Sequence, residues 1–274
     1  MIALKVQNLT KRYPSFTLDK VSFSAEEGQV IGLIGRNGAG KSTTIKAILG
    51  MICAQGDISV FGRAVAEQKE EIGYARGGFR FYPQKTLKRI AQTVSSFYAG
   101  WNEARYRSLL QAFQLQEEKK ITQLSEGMKV KFAIALALSH GARLLIMDEP
   151  TSGLDPLSRE EICDLVLHLV QNEGVTVLFS THITSDLTRI ADRILNLSNG
   201  RLIADDELKT LLGKYSVALF ARKEDAEQSG ARGIKRVKEG FEGLMPRGGT
   251  CAGGILRDAS IDEIIVHWET EAGK

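Results

Sequence analysis

Residues 1–30 alternate apolar and polar positions in short runs, the period of strands with one buried face, and they predict a small antiparallel sheet. The alternation then stops. Val30-Ile-Gly-Leu-Ile34 is a continuous apolar run, as in a strand covered on both faces, and it leads into a glycine-rich turn. A helix is predicted from about Ser42 to Leu49, ended by Gly50. Arg143-Leu-Leu-Ile-Met147 and Val175-Thr-Val-Leu-Phe179 read as two further buried strands, each feeding a polar loop. Helical patterns between them point to a parallel α/β sheet.

The middle of the chain, about 84–140, reads helical. Tyr106, Leu109, Leu110 and Phe113 fall at i, i+3, i+4 and i+7, with Asn102 as N-cap, and Phe132 to Leu138 forms a second, Ala-rich helix. The expectation is a helical insert between two parts of one sheet, within a first domain of residues 1–205. After about 206 the pattern changes: Gly243, Gly248, Gly249, Gly253 and Gly254 lie among short strand-like runs, and 206–274 reads as a small α/β appendage. Ser260-Ile-Asp-Glu263 reads as a capping box opening a short helix.

Composition narrows the function classes. The 274 residues are 43% apolar and 25% charged, ordinary for a globular protein, and a net charge of +3 gives no support to nucleic-acid binding. Cys53, Cys163 and Cys251 have no paired spacing and read as small buried hydrophobes in a reducing compartment. No run approaches the roughly 18–20 apolar residues needed to cross a bilayer, and the first residues read as a strand and not as a signal peptide.

The chemistry starts at Gly35-Arg-Asn-Gly-Ala-Gly-Lys41-Ser42, two glycines five apart followed by Lys and Ser. Glycines let successive backbone N–H groups turn inward onto phosphate oxygens, and the helix that follows adds its positive end. Gly35, Asn37, Gly38, Ala39, Gly40, Lys41, Ser42 and Thr43 are therefore the candidate ATP phosphate cradle. Lys41 would reach the β- and γ-phosphates and the Ser42 hydroxyl would ligate Mg2+. Leu144-Leu-Ile-Met-Asp148-Glu149 ends a buried strand in two carboxylates, which is costly without partners. Asp148 is the candidate Mg2+ ligand and Glu149 the candidate general base.

With these residues in hand, 2–205 resembles the ATP-binding-cassette family. Leu124-Ser125-Glu126-Gly127-Met128 is similar to that family's signature loop, Pro150-Thr-Ser-Gly-Leu-Asp155 to its D-loop, and Ser180-Thr-His182 to its switch histidine. Tyr13 matches the aromatic residue that stacks on adenine. The resemblance implies a P-loop NTPase core with an N-terminal antiparallel β subdomain, and MgATP hydrolysis in a head-to-tail dimer with a second cassette subunit. Each ATP is then held between one subunit's Lys41 loop and the partner's Ser125 and Gly127, with His182 reading the γ-phosphate.

This sequence departs from the family pattern twice. Glu126 and Met128 stand where Gly and Gln are usual, and the Q-loop glutamine is missing near Gly77, with Gln84 as a displaced candidate. From Ile72 to Asn102 there are five cations (Arg76, Arg80, Lys85, Lys88 and Arg89) and no acid, interleaved with Phe79, Phe81 and Tyr82. Three readings stand: a docking surface for a permease helix near anionic lipid, a solvated face, or, as the least favoured, a surface on which single-stranded nucleic acid stacks. Residues 241–268 resemble the tail of ABC-2-type exporters. The expectation is an ATPase at the inner face of the cell membrane, held there by integral membrane permease chains. The rivals are a cassette acting on nucleic acid or ribosomes and a slow-turnover regulatory subunit.

Overall fold

A computed structural model describes residues 1–78, 81–249, 251 and 253–272. Phe79 and Arg80 of the basic stretch lie outside the described residues. Contacts divide the chain into two units, Met1–Ala204 and Asp205–Lys274.

In the first unit, strands Ile2–Tyr13, Phe16–Glu26, Gln55–Val60 and Arg63–Ala64 form an antiparallel sheet, with Ile2–Tyr13 between Phe16–Glu26 and Gln55–Val60. Leu4 and Val6 face inward along Ile2–Tyr13 by alternation, and an irregularity between Val6 and Leu9, where Asn8 takes φ 51°, resets the phase so that Leu9 is buried as well. The second sheet has six strands, in the order Arg201–Glu207, Arg193–Ser198, Val30–Ile34, Thr176–Ser180, Leu144–Asp148, Ile72–Arg76. The last five are mutually parallel. Arg201–Glu207 is joined to its neighbour by Asn199-Gly200, both at positive φ, a hairpin turn.

One core lies between the two sheets. Leu4, Leu18 and Phe23 meet Leu33, Ile45, Ile48, Ile146 and Leu178 there. Burying each such side chain contributes about 1.5–3 kcal/mol. On the opposite face Leu187 packs against Gly32, where a Cβ would come within 2.7 Å of it. The Ala-rich helix packs Ala137 onto Gly73 in the same way, at 2.6 Å. Small residues on both elements let helix and strand approach this closely.

Several boundaries differ from the sequence expectation. The Ala-rich helix spans Glu126–Ser139, a turn and a half earlier than Phe132, because Ser125 caps it by accepting from Met128 N at 3.2 Å. The two buried strands, Leu144–Asp148 and Thr176–Ser180, each start one residue later than the apolar runs Arg143–Met147 and Val175–Phe179 and take in the polar residue that follows. The helices of the insert are Leu87–Ser95, Glu103–Ala112 and Glu126–Ser139, with Asn102 capping the second. Of the cysteines only Cys163 is fully buried, and burial pushes its thiol up to about 12. Cys53 is exposed, in the irregular segment before Gln55–Val60, which corrects the reading of all three as core residues.

The second unit is an antiparallel sheet in the order Arg232–Val237, Gly240–Pro246, Tyr215–Phe220, Gly254–Asp258, with helices Leu208–Lys214, Lys223–Gln228 and Ile261–Ala272. Ser260 and Glu263 form a reciprocal capping box: Glu263 N donates to Ser260 Oγ at 3.3 Å and Ser260 N to Glu263 Oε2 at 3.0 Å. His267 is wholly buried, its Nδ1 donating to Gly233 O at 2.8 Å and its Nε2 lying 3.9 Å from Glu242 Oε1. Desolvation holds its pKa below the usual 6.5. As pH falls through 6.5 the unfolded chain takes up a proton on this residue more readily than the folded chain, so stability present above that pH is lost on acidification. We expect thermal unfolding of this unit to shift down between pH 7 and 5, by at most about 1.4 kcal/mol per pH unit for one proton. His267→Gln should flatten the slope; an unchanged slope would assign it to other groups.

Candidate functional site

The site forms where the parallel strands end. Val30–Ile34 is buried at every position and delivers the chain into the glycine-rich turn. Gly35 has φ 148°, and a Cβ there would sit 2.2 Å from Leu197 O, so only glycine lets the chain pass the neighbouring strand. The helix Lys41–Ile48 follows at once. Its first N–H groups have no partner within the helix and point toward the loop's mouth.

Lys41 is 6% exposed. Its Nζ donates to Gly35 O at 2.7 Å and lies 3.3 Å from Glu149 Oε1. Glu149 Oε2 accepts from His182 Nδ1 at 2.6 Å and from His182 N at 3.3 Å. One carboxylate thus bridges the lysine of the loop and the histidine from the next strand end. Asp148 is 3% exposed and accepts from Ser180 Oγ at 2.8 Å and Ser42 Oγ at 3.3 Å. The Ser42 hydroxyl and the Asp148 carboxylate are hard oxygen donors, a pair that suits a small divalent cation, which takes most of its ligands from water and phosphate.

Tyr13, Phe16, Arg36, Asn37, Gly38, Gly40, Lys41, Ser42, Thr43, Glu149, Ser152 and His182 line a cavity of about 630 Å3. Its size suits a nucleotide-sized ligand. Tyr13 stacks on Phe16 at 6.5 Å between ring centres and is 40% exposed, an apolar face at the rim. Gly35, Ala39 and Asp148 sit behind this lining as supports. Ser125 and Gly127 are elsewhere: Ser125 is exposed at the tip of its helix, and Gly127 abuts Ser158 at 3.4 Å from a built Cβ. Asp155 caps the helix Pro156–Glu173, and hydrogen bonds from Ser158 hold its carboxyl below the usual range.

The glutamine question has a geometric answer. Gly77 N donates to Asp148 O at 3.0 Å, and a Cβ on Gly77 would lie 1.9 Å from Glu149 O. No side chain fits there in this backbone. Gln84 accepts from Lys120 Nζ at 3.5 Å within the helical insert and does not line the cavity. The residue beside the carboxylates is Arg76, with Nε 3.8 Å from Asp148 Oδ2. The sequence places Arg76 only among five cations and Ser152 and Ser180 only inside the D-loop and switch segments, and it singles out none of these, nor Phe16, as a site residue. Only Ser180 had a usable signal, as a hydroxyl residue ending a buried strand two positions before His182.

A second cavity, of about 320 Å3, is apolar and lined by Met51, Ile72, Tyr74, Phe81, Tyr98 and His140 among others. Tyr98 stacks flat on His140 at 3.9 Å, and burial lowers the His140 pKa. Tyr82 and Phe97 are 78% and 77% exposed.

The family model described as "ABC transporter" matches residues 18–152. The bacitracin transport ATP-binding protein BcrA of Bacillus licheniformis is 33% identical over 223 residues, 77% of this chain and 73% of that protein. The Nod factor export ATP-binding protein I of Rhizobium etli is 36% identical over 238 residues, covering 80% and 74%. An uncharacterized ABC transporter ATP-binding protein of Synechocystis is 32% identical, and this chain spans 63% of its length. A solved structure of an ABC transporter's ATP-binding subunit superposes with a TM-score of 0.67 at 30% identity, covering 83% of this chain and 93% of that one.

Proposed function

The chain belongs to the ABC transporter family as an ATP-binding subunit, and on that premise we propose that it hydrolyses ATP to drive an ABC-2-type exporter whose membrane-spanning part is on separate chains. Among the described residues no helix is long and apolar enough to cross a membrane. The names of the bacitracin and Nod factor relatives support export, and the bridge Lys41–Glu149–His182 supports turnover.

Adenine stacks on Tyr13, and the amides of Gly38 and of Gly40 to Thr43 receive the phosphates, while Ala39 N, donating to Arg36 O at 3.1 Å, holds the loop's curl. Lys41 moves from Glu149 to the β- and γ-phosphates, so triphosphate binding frees the base it held. Glu149 then takes the proton of the attacking water, oriented by His182 through their 2.6 Å contact. Ser42 and Asp148 would hold Mg2+, which would supply positive charge against that developing on the phosphates. Ser125 and Gly127 of a second cassette close the cavity from outside, presenting the N-terminus of Glu126–Ser139 to the γ-phosphate.

The docking reading of the basic stretch is favoured by exposed Met51, Tyr82 and Phe97 in the same region as the apolar groove. A tagged chain co-expressed with its permease should co-elute from detergent-solubilised membranes at the inner face of the cell membrane. Met51→Asp with Phe97→Asp should abolish co-elution and leave the ATPase activity of the free chain unchanged. Co-elution that survives both changes would remove this surface from the coupling, and export would lose its mechanical basis if no multi-span protein co-elutes with the unaltered chain.

A further inference from the structure

Glu149 adopts φ 51°, a left-handed conformation that a side chain other than glycine holds only where its surroundings enforce it. Two residues further on, Thr151 is fully buried, and its hydroxyl donates to Asp186 Oδ2 at 2.7 Å. The other carboxylate oxygen, Oδ1, accepts from Arg159 Nε at 3.2 Å and Nη2 at 2.5 Å. Arg159 Nη2 also donates to Ser185 Oγ at 2.9 Å. Asp186 is 5% exposed, so an unpaired charge there would be costly, and both of its carboxylate oxygens accept from other segments of the chain.

Asp186 lies on the helix Thr184–Ile190, which begins two residues after His182. The chain from Glu149 to Thr151, the Thr151–Asp186 hydrogen bond, the chain back to His182 and the His182–Glu149 contact therefore form a closed ring. Arg159, in the first turn of Pro156–Glu173, braces that ring from outside. Asp186 itself does not line the nucleotide cavity.

We propose that Asp186 is a positioning residue for ATP hydrolysis: by holding Thr151 and Arg159 together it keeps the Glu149 turn and His182 at the spacing their contact needs. The inference rests on the reading of Glu149 and His182 as base and partner, and it adds a group that touches neither substrate nor water. Ångström-scale misplacement of a catalytic pair costs roughly ten- to a hundredfold in rate. Asp186→Asn and Thr151→Val should therefore lower kcat by that order while the KM for ATP moves by no more than about twofold. Because both changes break one hydrogen bond, the double variant should be no slower than the slower single one.

Steady-state ATPase assays on the full chain, alongside thermal unfolding and a Glu149→Gln control, decide the matter. A folded Asp186→Asn or Thr151→Val chain with unaltered kcat overturns the proposal. So does a loss of kcat that only follows the loss of folded protein, or two losses that multiply. If Asp186→Asn does not fold, Thr151→Val, which keeps the Arg159 pair, decides alone. Normal turnover by Glu149→Gln would instead sink the assignment of the base, so the two failures are distinguishable.

Discussion

With Glu149 replaced by Gln, the chain should still bind MgATP, lose roughly 10²–10⁴-fold in turnover, and accumulate as a dimer. The amide keeps the shape that meets His182 and removes the proton acceptor. It also removes the charge that attracts Lys41, 3.3 Å away, so triphosphate capture is no longer in competition with that ion pair. If hydrolysis is what separates the subunits, blocking it leaves them closed. Light scattering in saturating MgATP reads the outcome, and Ser125→Arg in the same background should return the chain to a monomer. A Glu149→Gln chain that stays monomeric at every nucleotide concentration would remove the two-cassette arrangement.

Lys41→Ala should cost at least about 10²–10³-fold in turnover, the size expected for losing one preorganised group aimed at developing phosphate charge. Lys41 is nearly buried and is tied to the loop it serves through Gly35 O, so its ammonium is held in place before the phosphates arrive. Phosphate release measured under saturating ATP tests this. Retained turnover would take the glycine-rich loop out of the mechanism.

Much of this site could be read from the chain because its parts are local. A continuous apolar run followed by glycines and a Lys-Ser pair specifies a buried strand, a loop and a helix start by short-range rules alone. The same holds for Asp148 and Glu149 at the end of Leu144–Asp148. The hairpin at Asn199-Gly200 between strands Arg193–Ser198 and Arg201–Glu207 carries a strong local signal too, an Asn-Gly pair between two strand-like runs. Asp186, by contrast, was not accessible: its partners are 27 and 35 residues away, and nothing in a helix start announces a buried carboxylate. Gln84 was a plausible substitute by spacing, and only the helical insert's own hydrogen bonding shows where its side chain goes. Arg76 was counted as one cation among five, and the parallel register that sets it opposite Asp148 is a property of the sheet.

The 1.9 Å separation between a Cβ built on residue 77 and the Glu149 carbonyl also limits the mutational routes open to this protein. A single base change that put any larger residue at 77 would press on the backbone of the strand end carrying both carboxylates. Descendants of this sequence can gain a polar side chain at that point only by first moving the peptide after Glu149, so glycine there is a ratchet: simple to keep and hard to leave.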